Sequence, residues 1–176
     1  ELLTRVAGLL ASGRPVLLPV PKYGRGLELL ALLHRAEPDV PEFGDAQFLY
    51  QLQWLQADRF WLAPDARDAL KHAPVQPLTG VPAAGLCFVS DPQLKAPESQ
   101  ALAAAFLAAG GSLVMTGTPE KGSYSEALLR DGKMELLRYP VHQNETEYRA
   151  LLRENQFLRA IPYHTAEFSA KTEIVI

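Results

Sequence analysis

Cysteine is nearly absent from this sequence, which has a single thiol, Cys87, in 176 residues. One thiol cannot form an intrachain disulfide, so we expect a protein of a reducing compartment such as the cytoplasm. Because Cys87 lies inside an apolar run, we expect it to be a small buried side chain rather than a nucleophile.

Long hydrophobic runs and a large excess of either charge are also lacking. No apolar stretch approaches the roughly 18 residues that cross a bilayer, and Arg5 and Arg14 interrupt the region where a signal peptide would be apolar. The formal net charge of -3 restricts any electrostatic contact with nucleic acid to a local basic cleft. We therefore expect a soluble protein with no membrane partner. Since the sequence begins with Glu1 inside a helical pattern, we also expect a preceding segment in the complete protein.

Apolar runs alternate with helical patterns along most of the chain. Strands are predicted at 15–20, 86–90 and 112–116, and helices at 2–10, 27–37, 97–109, 123–129 and 145–154. Residues 39–80 fit a helix about as well as a bent strand. This alternation predicts an α/β fold with a mostly parallel, Rossmann-like sheet flanked by helices.

The first candidate site is a strand that ends at a Gly-Arg turn and leads into a leucine-rich helix. Backbone N–H groups at the start of that helix, with Lys22 and Arg25 beside them, favour a bound phosphate. A tight turn in which Arg25 pairs with a carboxylate such as Glu28 explains the spacing equally well. The loop lacks the Gly-Lys-Ser/Thr ending of a Walker motif.

A glycine-bounded loop at 115–123 is the second candidate. Gly117 and Gly122 allow unusual backbone angles, and Ser123 followed by Glu126 resembles a capping box that opens a helix. Taken alone, the loop is more typical of a plain turn than of a binding site. Binding of a mononucleotide is a weaker interpretation of the same loop.

Two histidines, His142 and His164, each follow a strand-like apolar run, and residues 145–154 between them have helical spacing. This order would place both imidazoles at one edge of a sheet, where a metal or phosphate could bind. A catalytic zinc ion usually takes three protein ligands, and neither His34 nor His72 has a metal-ligand neighbour at useful spacing.

In order and spacing these segments resemble the β-CASP nucleases of the metallo-β-lactamase superfamily, which include ribonuclease J and the endonuclease of pre-mRNA 3′-end processing. Residues 16–30 are similar to the family's strand-turn-helix and residues 116–129 to its glycine loop. Residues 140–144 and 160–165 are similar to its motifs B and C.

The resemblance implies that residues 1–138 form a β-CASP-like domain and residues 139–176 the terminal strands of a metallo-β-lactamase domain. His164 would then be a zinc ligand, and His142 a catalytic residue that contacts the scissile phosphate or assists the leaving group. The substrate-binding residues would be Lys22, Arg25, Gly117, Gly122 and Ser123.

A zinc-dependent nuclease that hydrolyses RNA or DNA phosphodiester bonds is the function that the resemblance implies, with a zinc-bound hydroxide as nucleophile. The family's His-x-His-x-Asp-His cluster is not in this sequence, so the chain alone would carry an incomplete zinc site and be inactive.

A non-catalytic β-CASP scaffold that binds RNA or a partner protein is the alternative. It is favoured by Asn144, where motif B has aspartate, and by Thr165, where motif C has glycine. In either case the expected partner is nucleic acid, RNA before DNA, and a homodimer is left open.

Overall fold

The computed structural model describes residues 1–57, 62, 64–140 and 145–155. The chain divides into two units, Glu1–Tyr139 and Pro140–Ile176. The elements of the first unit are α1 (Leu2–Leu10), β1 (Pro15–Pro19), α2 (Arg25–Ala36), β2 (Glu42–Gly44), α3 (Ala46–Ala57), α4 (Pro64–Lys71), β3 (Gln76–Pro77), β4 (Gly85–Val89), α5 (Pro97–Ala108), β5 (Ser112–Met115), α6 (Tyr124–Arg130) and β6 (Glu135–Leu136). In the second unit the predicted helix at 145–154 is confirmed as α7 (Glu145–Glu154).

The strands of the first unit form a parallel sheet in the order β3-β2-β4-β1-β5-β6. β1 pairs along its whole length with β4, from Pro15 opposite Gly85 to Pro19 opposite Val89, and pairs with β5 on its other side. All five residues of β1 and of β4 are buried, as expected for strands whose two faces are both covered by helices. The predicted α/β class is confirmed.

Alternate side chains of the central strands belong to two halves of the core. Leu18 and Phe88 pack with α1 to α4, and Phe88 stacks on Phe48 of α3 with ring centroids 4.6 Å apart. Leu17 and Cys87 pack with α5 and α6 on the opposite face. Cys87 is fully buried, and this burial raises the pKa of its thiol to about 12. The prediction that Cys87 is a packing residue is confirmed.

Local signals in the sequence explain where α3 and α6 begin. Ser123 Oγ accepts a hydrogen bond from Glu126 N–H at 3.1 Å, and Glu126 Oε2 accepts one from Gly122 N–H at 2.6 Å, so the predicted capping box is formed. At α3, Asp45 Oδ1 accepts from Phe48 N–H at 2.7 Å. This cap favours the helical alternative for the segment after Asp45, and that alternative is confirmed.

The connections between strands leave the carboxyl edge of the sheet in opposite directions. From β1 and β2 the chain runs toward the β3 side, whereas from β4 and β5 it runs toward the β6 side. Neighbouring connections therefore diverge at two places, between β2 and β4 and between β1 and β5. Crevices at such points are where parallel α/β sheets commonly bind ligands. Among the described residues, no helix has the length and apolar character needed to cross a membrane.

Candidate phosphate-binding site

The loop after β1 turns sharply at Gly24 and so brings Arg25 to the carboxyl edge of the sheet. Gly24 has a φ of 70°, a conformation that favours glycine. Its carbonyl accepts hydrogen bonds from Leu27 N–H at 2.9 Å and Glu28 N–H at 3.2 Å. The turn thus starts α2 with Arg25 as its first residue, where helix N–H groups favour an anion.

Arg25 lies directly against Gly117, across the crevice between β1 and β5. A Cβ atom placed on Gly117 would overlap the Nη1 atom of Arg25. The two loops that the sequence indicated separately therefore meet in the fold. Arg25 forms no ion pair with Glu28 or with any other carboxylate in the part of the chain that the structure describes.

Two buried polar atoms at this crevice have no hydrogen-bond partner among the described residues: Arg25 Nε and Thr116 Oγ1. Thr116 is 2% exposed, and its carbonyl accepts from Tyr139 N–H at 2.9 Å, which fixes the residue beside Gly117. A buried donor without a partner costs about 1–3 kcal/mol. An anion that accepted from both groups would remove this cost, because a guanidinium N–H and a hydroxyl can both donate.

The loop at 117–122 is held in place by the loop that follows β4. The Gln93 side chain donates to the Thr118 carbonyl at 3.0 Å and accepts from Glu120 N–H at 2.8 Å. Arg138 Nη2 donates to Thr118 Oγ1 at 3.3 Å and brings another cation to the same loop. These contacts keep the backbone of Gly117 where Arg25 reaches it.

The other predicted residues of this region have different surroundings. Ser123 is buried and its hydroxyl caps α6, while Gly122 has a φ of 79° in the turn before the cap. Lys22 is exposed and lines a second cleft, of about 800 Å³, at the carboxyl ends of β2 and β4. Arg25 and Gly117 are thus brought together, whereas Gly122 and Ser123 shape the loop that carries Gly117.

In the second cleft, Asp45 joins the ends of two neighbouring strands. Besides capping α3, its carboxylate accepts from Ser90 N–H at 2.5 Å and from Ser90 Oγ at 2.9 Å. Three hydrogen bonds occupy the two carboxylate oxygens, so Asp45 is committed to holding the cleft wall. Lys95, also in this cleft, is paired with Glu120 at 2.7 Å.

No three histidine, cysteine, aspartate or glutamate side chains are grouped for metal binding among the residues that the structure describes. This part of the chain therefore does not fit a zinc ion. His142 and His164 lie outside the described residues, so their catalytic and zinc-binding roles stay predictions. His34 is on α2, with Nδ1 3.1 Å from Oε2 of the buried Glu42.

Sequence reasoning missed Thr116 and Arg138 as members of this site. Both follow a short strand directly, and the residue after a parallel strand is a common site position. That signal was present for Thr116, which follows the apolar run of β5. It was absent for Arg138, because β6 has two residues and no apolar run of its own.

Comparison with known proteins adds no assignment. No protein-family model matches the chain, and no curated protein matches it.

Proposed function

We propose that the chain is the nucleic-acid-binding α/β part of a zinc-dependent nuclease of the metallo-β-lactamase and β-CASP type, which hydrolyses RNA or DNA phosphodiester bonds in the complete protein. The observation that supports this proposal is the contact of Arg25 with Gly117. It joins a helix N-terminus, a guanidinium group and a buried hydroxyl at one crevice of a parallel sheet.

The proposed work of these residues is to bind and orient a phosphate. Arg25 donates charge-assisted hydrogen bonds to two phosphate oxygens, for which its planar guanidinium is well suited. Thr116 Oγ1 donates to a third oxygen or to a bridging water, and Gly117 leaves room for the phosphate beside its backbone. Lys22 is an exposed point charge at the same edge and attracts the neighbouring phosphate. Because the described residues do not fit zinc, no step of hydrolysis is assigned to them.

The test is the binding of fluorescein-labelled single-stranded RNA and DNA oligomers, followed by fluorescence anisotropy between about 50 and 200 mM salt. Changing Arg25 to Gln should weaken binding about tenfold, since a hydrogen bond to a charged group is lost. The slope of log K against log salt should also become shallower by about one. Arg35→Gln is the matched control, because Arg35 lies at the other end of α2 and is paired with Asp65 at 2.7 Å.

Equal losses in Arg25→Gln and Arg35→Gln would show that binding follows net charge and would refute the assignment of the crevice. Binding that does not depend on salt would refute phosphate recognition altogether. The hydrolytic half of the proposal needs the complete protein, assayed with a labelled RNA with and without a chelator. Tight binding without cleavage there would favour the non-catalytic scaffold.

A further inference from the structure

A small apolar pocket opens between α2, α3 and α4, beside the loop that carries Lys22 and Arg25. Its volume is about 160 Å³. The apolar side chains that line it include Leu27, Ala31, Leu55, Leu62 and Leu70. The pocket therefore suits one flat apolar group.

Two aromatic side chains at the pocket are largely in contact with water. Tyr23 is 69% exposed and Trp54 is 53% exposed. Aromatic rings carry a large apolar surface and prefer stacked or edge-on contact with other rings. Two such rings at one pocket provide surface on which a further planar ring can stack.

A buried amide, that of Gln51, also lines this pocket. Gln51 is 6% exposed, and its side chain has no hydrogen-bond partner within the described residues. An amide offers one acceptor and two donors, and leaving them without partners in a buried position is unfavourable. The matching ligand has a flat ring and a polar edge that both donates and accepts, which is the chemistry of a nucleobase.

The position of Tyr23 connects this pocket to the phosphate crevice. Tyr23 lies between Lys22 and Arg25 in one loop, so a nucleotide chain could place a phosphate on Arg25 and the next base at Tyr23. Glu28 also lines the pocket, and its negative charge disfavours a phosphate inside it. Base and phosphate are thereby directed to different sides of the loop.

We infer that the pocket between Tyr23, Gln51 and Trp54 binds one unpaired base of a single-stranded nucleic acid whose neighbouring phosphate is held by Arg25. The inference rests on the proposed function and deepens it by naming the substrate class. A base within a duplex is already stacked and paired, whereas an unpaired base is free to turn toward an aromatic surface.

The test compares an adenine oligomer with an abasic oligomer of the same length and phosphate number. Tyr23→Ala should weaken binding of the adenine oligomer about tenfold, as loss of one base–aromatic stack does, and leave the abasic oligomer unchanged. Tyr23→Phe should retain binding, because the ring remains. Tyr50→Ala is the matched control: Tyr50 is an aromatic residue of α3, 62% exposed, that does not line the pocket. Gln51→Leu should reduce the preference among adenine, cytosine and uracil oligomers.

The outcomes separate this inference from the proposed function. If Arg25→Gln weakens both oligomers and Tyr23→Ala weakens neither, the base pocket is refuted while phosphate binding stands. Equal weakening of both oligomers by Tyr23→Ala also refutes it, because the ring would then act through the loop. If neither oligomer binds to the unaltered chain, the proposed function fails first. Circular dichroism and thermal unfolding of each variant check that the fold is retained.

Discussion

Glu42 provides a prediction about stability whose magnitude can be worked from the structure. It is the first residue of β2, is 2% exposed and faces His34 Nδ1 at 3.1 Å. Burial raises the pKa of its carboxyl from 4.5 to about 7. The folded protein therefore prefers the protonated, uncharged form of this side chain.

The direction of the pH effect follows from this raised pKa. Below the ordinary pKa the carboxyl is protonated in both states and no stability is lost. As pH rises through about 7, the folded state must either keep a proton or bury a charge, and stability falls. A shift from 4.5 to about 7 corresponds to about 3 kcal/mol over the whole range, of which about 2.5 kcal/mol is lost between about pH 5 and about pH 8.5.

Urea unfolding at these two pH values measures the effect. Glu42→Gln keeps the size of the side chain but cannot ionise, so its free energy of unfolding should exceed that of the unaltered chain by about 2.5 kcal/mol more at the higher pH than at the lower. Glu98→Gln, at an exposed position on α5, is the control and should leave the pH dependence unchanged. If the unaltered chain and Glu42→Gln lose the same stability over this range, the buried carboxyl is not the cause and the reasoning is wrong.

Two further predictions concern the carboxyl edge of the sheet, in addition to those for Arg25 and Tyr23. Gly117→Ala should displace the Arg25 guanidinium, because the added methyl overlaps Nη1, and should weaken oligomer binding about as much as Arg25→Gln does, about tenfold; Gly8→Ala, where nothing lies within 4 Å, should leave binding unchanged. Asp45→Ala removes three hydrogen bonds and should lower the free energy of unfolding by about 3 kcal/mol in urea; a loss below about 1 kcal/mol would mean that water replaces the carboxylate.

The central strands and the capped helices could be predicted from sequence because their signals are local. Unbroken apolar runs mark β1, β4 and β5, and Ser123 with Glu126 marks the start of α6. β2 and β3 could not be predicted in this way. They have three and two residues, and Glu42 is a buried carboxyl in a position that a sequence pattern assigns to water.

The candidate site was predictable in its parts but not in its assembly. Arg25 and Gly117 were each indicated by a glycine turn next to a strand, yet their contact depends on β5 lying beside β1. Strand order is a property of the whole sheet and leaves no mark on the spacing of residues. Gln51 and Trp54 were within a segment that fitted two structures equally, so no role could be read from their positions.

The pairing of β1 also determines when the protein can fold during synthesis. Pro15 pairs with Gly85, and Val16 pairs with Ser112, so the central strand is made early and receives its second neighbour only after β5 has left the ribosome. Until then its apolar residues and unpaired backbone groups are exposed to other nascent chains. A chain that ends before Ser112 should therefore aggregate rather than fold, and slow non-local pairing should set the folding rate of the whole sheet.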